Sequence, residues 1–203
     1  MDDVERAVAA LERGGVIVYP TETLYGLGVD ATLAEAVDRL VDLKERDRDK
    51  PVSVLVASRA MLDDIASSVS PVAERLIAAF WPGPLTIALP ARPAVLRTLT
   101  AGSGTIAARV SSHPIARAIV TALGKPLTAT SANPGGSPPA RDKEAARAYF
   151  GSRVDLYVDA GSSAHGLAST VVDCAVPVPR LLREGAVALD SLEAAAGMRL
   201  RRE

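Results

Sequence analysis

Short apolar runs alternate with amphipathic segments along most of the 203 residues, and this alternation constrains the fold more than any other feature. Residues with helical spacing end at Gly14 and Gly15, and a continuous apolar run at residues 16–19 follows them. Strands that alternate with helices are typical of α/β proteins in which many strands are buried on both faces. Further strands are predicted at residues 52–56, 85–89, 105–110, 127–129, 154–158 and 170–173.

Helix starts are indicated by residues that cap a first turn. Thr32 with Glu35 is the pattern of a capping box, and Ser70 before Pro71 places a cap ahead of a proline at the first helical position. Ser58 is a third candidate cap, and Asp190 with Glu193 is a fourth. Helices are also expected at residues 114–123 and 142–149. We found no repeat and no long linker, so we expect one domain over residues 1–203 with a frayed tail at 199–203.

Composition excludes several classes of protein. A single cysteine, Cys174, rules out an intramolecular disulfide and a cysteine metal cluster. The formal net charge is −1, which gives no global sign of a nucleic-acid or membrane partner. No apolar run reaches the ~18 residues of a membrane span, and charges throughout the first fifteen residues exclude a secretory leader. A cytoplasmic protein is expected.

The loop at residues 20–28 is the first candidate for chemistry. It follows a buried strand, and ligands of open α/β sheets bind at the carboxyl ends of strands. It offers Thr21, Glu22, Thr23 and Tyr25 beside glycines that let a ligand approach the backbone. A polar turn that satisfies its own hydroxyls explains the same residues about equally well.

The second candidate is the charged segment at residues 44–51, in which Lys44, Arg46, Arg48 and Lys50 alternate with acids. A solvated helix end is the simpler interpretation. However, Lys44 and Arg46 precede the turn into a predicted strand, where arginine and lysine are suited to bind a polyphosphate.

The third candidate is the loop at residues 128–139, which is rich in hydroxyls and glycines whose amides can form an anion-binding nest. It has the residue order of neither a P-loop nor a dinucleotide fold. Arg109 and Arg183, each in a predicted strand, are a fourth indication. Because an unpaired buried guanidinium is very costly, each needs a structural carboxylate or a ligand anion as its partner.

In this order, the segments resemble the motifs of the YrdC-type threonylcarbamoyl-adenylate synthases over about residues 14–185. The resemblance implies a twisted, mixed sheet with flanking helices around a concave, positively lined cavity. The matching segments are Pro20-Thr21-Glu22-Thr23-x-Tyr25-Gly26-Leu27, Lys44-x-Arg46 with Lys50-Pro51, Trp81-Pro82-Gly83-Pro84-Leu85-Thr86, Arg109 with His113-Pro114, Thr130-Ser131-Ala132-Asn133, Gly166-Leu167-x-Ser169-Thr170 and Leu182-Arg183-x-Gly185.

The resemblance also implies roles for ten residues. It places Thr23, Arg109, Ala129 and Ser169 on L-threonine, with Arg109 on its carboxylate. It places Arg46, Lys50, Thr105, Ser131 and Arg183 on ATP, and Lys44 and Arg46 as the catalytic pair that stabilises charge. Three places depart from the family pattern. Pro134-Gly135-Gly136 follows Asn133 where many members have a short x-Ser-Gly, Pro139 stands where some members use a serine on the nucleotide, and Leu55 stands where some longer members have a histidine.

The implied reaction joins L-threonine, bicarbonate and ATP into an adenylate used by a downstream threonylcarbamoyl transferase in tRNA modification. Mg²⁺ is expected to arrive with ATP and to be held by phosphate oxygens, since the sequence has no evident carboxylate cluster. No residue is predicted as a metal ligand, and any contact with tRNA is expected to be weak. The chain ends near the close of the catalytic domain, which predicts the short form without an additional C-terminal domain.

Two other interpretations stay open. A carbamoyl-transfer relative makes a carbamoyl-adenylate from carbamoyl phosphate and ATP, but in its families that activity accompanies zinc-binding and transfer domains. An RNA-binding module of the same fold is the alternative from another class, and it is disfavoured by the low net charge and an aromatic content of 3%.

Overall fold

Eight α-helices and eleven short strands occur in the computed structural model, which describes residues 2–159 and 167–202. The helices are α1 (Asp3–Glu12), α2 (Ala34–Leu43), α3 (Arg59–Leu62), α4 (Pro71–Phe80), α5 (Arg97–Thr100), α6 (Pro114–Leu123), α7 (Lys143–Phe150) and α8 (Leu189–Ala196), with a 3₁₀ turn at Gly151–Arg153. The strands are β1 (Ile17–Tyr19), β2 (Gly26–Gly28), β3 (Val54–Leu55), β4 (Leu85–Pro90), β5 (Thr105–Arg109), β6 (Leu127–Thr128), β7 (Thr130–Ser131), β8 (Leu156–Tyr157), β9 (Thr170–Asp173), β10 (Arg180–Arg183) and β11 (Arg201–Arg202).

Two mixed sheets form the core, where the resemblance implied a single one. The smaller has the order β7-β2-β1-β8 and the larger has the order β11-β10-β9-β4-β5-β3-β6. Each contains parallel and antiparallel pairs; β1 runs parallel to β8 and antiparallel to β2. The α/β class with flanking helices is therefore confirmed.

The segment from β6 to β7 connects the two sheets. Leu127 and Thr128 pair with β3 in the larger sheet, whereas Thr130 and Ser131 pair with β2 in the smaller one. The strand predicted at residues 127–129 is thus two short strands separated by Ala129. This change of sheet leaves space between the sheets on the side where β1 and β5 end.

Two of the predicted helix caps are confirmed and involve serine. The Ser70 hydroxyl accepts a hydrogen bond from the Ala73 amide at 3.2 Å, with Pro71 at the first helical position. Ser58 accepts from the Met61 amide at 3.3 Å. Both sites have the extended backbone that a cap residue requires.

The capping box predicted at Thr32 and Glu35 is wrong. The Thr32 hydroxyl instead donates to the buried Asp30 carboxylate at 2.6 Å, and Leu33 precedes α2 without a side-chain cap bond. A nearby carboxylate thus competes successfully for the hydroxyl that would have capped the helix.

The predicted start at Asp190 is also displaced, because α8 begins at Leu189 after Ala188 and has no side-chain cap bond. Glu193 accepts from Arg199 and from the Leu200 amide instead. The predicted frayed tail is wrong as well, since Arg201–Arg202 is strand β11 beside β10. Two further segments differ from expectation: Gly26–Gly28, treated as loop, is strand β2, and the strand predicted at 52–56 is reduced to Val54–Leu55.

Aliphatic side chains fill the core on both sides of the sheets. Helices α1 and α6 cover one side, with Leu11 and Ile119 fully buried against Leu55 and Leu127. Helices α2, α4 and α8 enclose a larger cluster on the other side. Cys174 lies in that cluster as a buried small side chain, as predicted. No helix in the described part of the chain is long and apolar enough to cross a bilayer.

Candidate active site

A cavity of about 330 Å³ opens between the two sheets. Its walls come from the end of β1, from residues along β4 and β5, from β9 and β10, from the turn after β1 and from the segment that joins β6 to β7. This is the site expected for a ligand, because strand ends and the crevice between sheets present backbone polar groups that the sheets themselves leave free.

Tyr19 forms the floor of the cavity. Its ring is fully buried and its hydroxyl donates to the Thr128 carbonyl at 2.9 Å. Gly26 and Gly28 lie across from it on β2, and a Cβ atom at either position would come within 2.9 Å and 2.7 Å of the Tyr19 ring, respectively. Glycine is therefore needed at both positions for close packing against the aromatic ring. The residues next to Gly26 and Gly28 in the sequence do not indicate this requirement.

Arg109 lines the cavity and is half of a buried ion pair. Its Nη1 donates to a carboxylate oxygen of Glu22, and the other oxygen of Glu22 accepts from the Ser111 hydroxyl. Arg109 Nη1 also lies 3.5 Å from Thr23 Oγ1. The sequence left open whether the partner of Arg109 is a structural carboxylate or a ligand, and the structure shows that it is the carboxylate of Glu22. Arg109 still lines the cavity. The remaining N–H groups of its guanidinium are available to a second anion.

Arg183 lies at another wall, held by Ser169. Its Nη2 donates to the Ser169 carbonyl at 2.9 Å and to the Ser169 hydroxyl at 3.0 Å, and Nε donates to the same carbonyl. The Ser169 hydroxyl also lies 2.9 Å from Thr86 Oγ1. A residue predicted for threonine and one predicted for ATP therefore contact each other directly, so the two predicted substrate sites adjoin.

Arg46 is oriented by backbone carbonyls of the following turn. Its Nη2 donates to the Pro51 carbonyl at 2.8 Å and its Nε to the Lys50 carbonyl at 3.3 Å. Arg46 lines the cavity, whereas the Lys50 side chain is exposed and does not. Carbonyl partners orient the guanidinium without neutralising its charge, so Arg46 remains a full cation at the cavity wall.

Lys44 lies behind the wall rather than on it. The side chain is buried, and Nζ donates to the Ser131 carbonyl at 2.5 Å and to the Asn133 carbonyl at 2.8 Å. The Lys44 carbonyl in turn accepts from the Gly135 amide at 2.7 Å. Burial lowers the pKa of Lys44 to about 8, with a smaller contribution from the Arg46 charge. Lys44 thus connects the 128–139 loop, at Ser131, Asn133 and Gly135, to the end of α2 through hydrogen bonds.

The cations of the cavity act on one another. Burial lowers the pKa of Arg183, and the charges of Arg109 and Arg46 lower it further. Burial also lowers the pKa of Arg46. Three guanidiniums in one recess, of which the described residues pair only Arg109 with a carboxylate, make this an anion-binding site.

The amino-acid sequence agrees with this geometry. The model of the Sua5/YciO/YrdC family, described as "Telomere recombination", matches residues 9–185. The chain belongs to this family. It is 43% identical over 156 residues to the threonylcarbamoyl-AMP synthase of Halorhodospira halophila, covering 76% of this chain and 81% of that protein. It is 37% identical over 195 residues to that of Bacillus subtilis, covering 96% of this chain and 56% of that protein.

A solved relative has the same fold. The crystal structure of Pyrococcus abyssi Sua5 complexed with L-threonine superposes with a TM-score of 0.96 at 34% identity, covering 98% of this chain and 58% of that one. The chain therefore spans a little over half the length of the Bacillus and Pyrococcus relatives and about four fifths of the Halorhodospira one.

Eight of the ten residues assigned from the family motifs line the cavity. They are Thr23, Arg46, Thr105, Arg109, Ala129, Ser131, Ser169 and Arg183. Lys44 and Lys50 do not line it, and the direct roles given to them stay predictions. Gly166 of the Gly166-Leu167-x-Ser169-Thr170 motif lies outside the described residues.

Several site residues had no assigned role in the sequence analysis. Glu22 stood in a recognised motif, yet its partner Arg109 is 87 residues away. Tyr19 was predicted only as a strand residue, and Thr86 only as a residue of the strand at 85–89 and of the motif that ends there. Ser53, at the edge of β3, donates to the Ala129 carbonyl at 2.7 Å and lines the cavity. Only its position beside the 44–51 segment could have singled it out.

The cavity fits an anion better than a protein-bound metal ion. In the parts of the chain that the structure describes, no group of three or more His, Cys, Asp or Glu side chains could hold a metal. Glu22 is already occupied by Arg109 and Ser111.

Proposed function

We propose that this chain condenses L-threonine, bicarbonate and ATP to threonylcarbamoyl-AMP and pyrophosphate. The observation that carries the proposal is the cavity with three guanidiniums, in which Arg46 and Arg183 are oriented by carbonyls without being neutralised. Relatives named threonylcarbamoyl-AMP synthase at 37% and 43% identity support the same activity, as does the L-threonine bound to Pyrococcus Sua5.

The reaction has two steps. Bicarbonate loses hydroxide to give CO₂, and the neutral amine of threonine attacks its carbon. The amine proton lost on forming the N-carboxylate combines with that hydroxide to give water. One oxygen of this carbamate then attacks the α-phosphorus of ATP. A new O–P bond forms, the bond to the β-phosphate oxygen breaks, and its electron pair leaves with pyrophosphate. Such a transfer needs positioning and charge stabilisation more than a protein nucleophile.

The cavity residues assigned from the family motifs each have a role in these steps. Arg109 binds the threonine carboxylate, with Thr23 and Ala129 beside it, through the N–H groups that Glu22 leaves free. Arg46 and Arg183 stabilise the charge that develops on the phosphates, with Thr105 and Ser131 along the same path. The direct contact between Ser169 and Arg183 supports a carbamate bound next to the α-phosphate. MgATP is the form of ATP expected, its metal held by phosphate oxygens, and Lys44 contributes positive charge from behind the wall.

The adenylate would then pass to a transferase that modifies tRNA. Direct contact between tRNA and this chain would be weak at most, and the reaction would take place in the cytoplasm. A carbamoyl-adenylate activity has less support, since the relatives compared are named for the threonine-dependent reaction. The same names favour an enzyme over an RNA-binding module.

The test is pyrophosphate release together with mass spectrometry of the product formed from ATP, bicarbonate and threonine, with serine as a competing substrate. Arg46→Ala should lower turnover by about 100-fold, since charge-stabilising groups contribute ~2.7–4 kcal/mol to such steps. Arg48→Ala is the matched control. Arg48 lies two residues after Arg46, is exposed and pairs with Asp38 and Asp42.

Near wild-type release by Arg46→Ala would contradict the assignment of Arg46. Product formation from carbamoyl phosphate without threonine would instead identify the carbamoyl-adenylate activity. Tight tRNA binding without ATP consumption would identify an RNA-binding module.

A further inference from the structure

The positive charges of the cavity are distributed unequally. Glu22 is only 8% exposed, and its carboxylate is shared by Arg109 and Ser111. Within residues 2–159 and 167–202, no carboxylate lies within ion-pair distance of Arg46 or Arg183, although Asp47 attracts Arg46 at longer range. Of the three guanidiniums that line the cavity, Arg109 is therefore paired with a carboxylate and the other two are not.

The two substrates differ in the same way. ATP carries several negative charges, whereas threonine is a zwitterion whose carboxylate is balanced by its ammonium group. Without Glu22, Arg109 would be a third uncompensated cation, and phosphates would be attracted to it as strongly as to Arg46 and Arg183. A phosphate there would occupy the position of the amino acid.

We propose that Glu22 is a specificity-determining residue that reserves Arg109 for the amino acid by neutralising Arg109 towards polyphosphate. This inference rests on the proposed function. The guanidinium still offers N–H donors in a planar fork, so it recognises a single carboxylate by geometry, while net charge no longer draws a polyanion to it. Glu22 thus discriminates against polyphosphate by removing its electrostatic attraction to Arg109.

A purely structural role for Glu22 makes a different prediction. A buried arginine needs a partner, and loss of that partner destabilises the fold whatever binds in the cavity. A structural role therefore predicts a lower melting temperature with unchanged ligand selectivity. The sorting role predicts a change in which ligands compete, in protein that remains folded.

The experiment measures binding of radiolabelled L-threonine by equilibrium dialysis at fixed ionic strength, with pyrophosphate as competitor and no ATP. Wild-type protein should bind threonine with little effect of pyrophosphate. Glu22→Gln keeps a side chain of the same shape that can accept from Arg109, but removes the charge. Its apparent threonine Kd should rise about tenfold or more in pyrophosphate, as expected for a unit charge uncovered inside the cavity.

Asp30→Asn is the matched control. Asp30 is a fully buried carboxylate that pairs with Lys125 at 2.9 Å, and it does not line the cavity. Its loss should lower stability without making pyrophosphate a competitor. Circular dichroism and thermal melts confirm that each variant is folded at the assay temperature.

The outcomes separate this inference from the proposed function. A wild-type protein that neither binds threonine nor forms the adenylate sinks the proposed function itself. If wild type does both, a folded Glu22→Gln protein that shows no competition, or that no longer binds threonine, overturns the sorting role. Should Glu22→Gln not fold, the wild-type arm decides, because displacement of threonine by pyrophosphate from wild-type protein contradicts the inference and its absence supports it.

Discussion

Lys44 gives a stability prediction whose magnitude depends on pH. The residue is 3% exposed, and its ammonium group donates to the carbonyls of Ser131 and Asn133 at 2.5 and 2.8 Å. Methionine at this position has a similar length but cannot donate or titrate. Lys44→Met leaves two carbonyls without these donors, which should cost about 2 kcal/mol at pH 7.

The pH dependence follows from where the proton leaves. The folded protein loses the Lys44 proton near pH 8, whereas the unfolded chain keeps it to about pH 10.5. Between these values the unfolded state binds more protons, so wild-type stability rises with pH. Each pKa unit corresponds to ~1.36 kcal/mol, so wild type should gain about 2 kcal/mol over Lys44→Met between pH 7 and pH 10. The neutral amine still donates to both carbonyls.

Urea unfolding of both proteins at pH 7, 8, 9 and 10 measures this difference, and titrations common to both proteins cancel in it. Lys125 is a control that should stay flat over this range, because its hydrogen bond to Asp30 raises its pKa above the ordinary value of 10.5. Both the folded and the unfolded protein then keep the Lys125 proton up to pH 10, so the advantage of wild type over Lys125→Met should not change with pH. A difference between wild type and Lys44→Met that stays flat or falls over this range would refute the reasoning.

Two further predictions concern packing and the thiol. Gly28→Ala should destabilise the protein by about 2 kcal/mol in urea unfolding, because its Cβ would lie 2.7 Å from the fully buried Tyr19 ring and 3.0 Å from Leu127; unchanged stability would mean that the ring moves freely. Burial raises the pKa of Cys174 to about 12, with a smaller effect of Asp173. Alkylation at pH 8 should therefore be at least ~100-fold slower in the folded protein than in urea, and equal rates would show that the thiol is accessible.

The sequence predicted local structure well wherever one residue type acts on its own neighbours. Ser58 and Ser70 cap helices as expected, since a serine needs only the amide three residues on. The prediction failed at Thr32, where Asp30 accepts the hydroxyl, and at Gly26–Gly28, where pairing with β1 and β7 outweighs the weak strand propensity of glycine. Both failures have a tertiary cause.

For the site, the order of the motifs identified most of the residues that line the cavity, but not the hydrogen bonds and ion pairs between them. The ion pair between Glu22 and Arg109 joins positions 87 apart, and neither neighbourhood indicates the other. Similarly, the charges around Lys44 are those of an ordinary solvated helix end, yet its side chain is buried. Only the fold decides which cations remain uncompensated, and that distribution is what the proposed chemistry uses.

The segment from β6 to β7 explains how the cavity is kept open. Successive carbonyls along it are held by side chains from three separate elements: Thr128 by Tyr19, Ala129 by Ser53 and Ser131 by Lys44. Because these bonds come from both sheets and from the end of α2, the segment cannot move towards either sheet without breaking several of them. This part of the cavity wall is therefore preorganised. Arg46 and Arg183 are oriented by other backbone carbonyls, those of Pro51 and Ser169, which leave their positive charge free for the substrate phosphates.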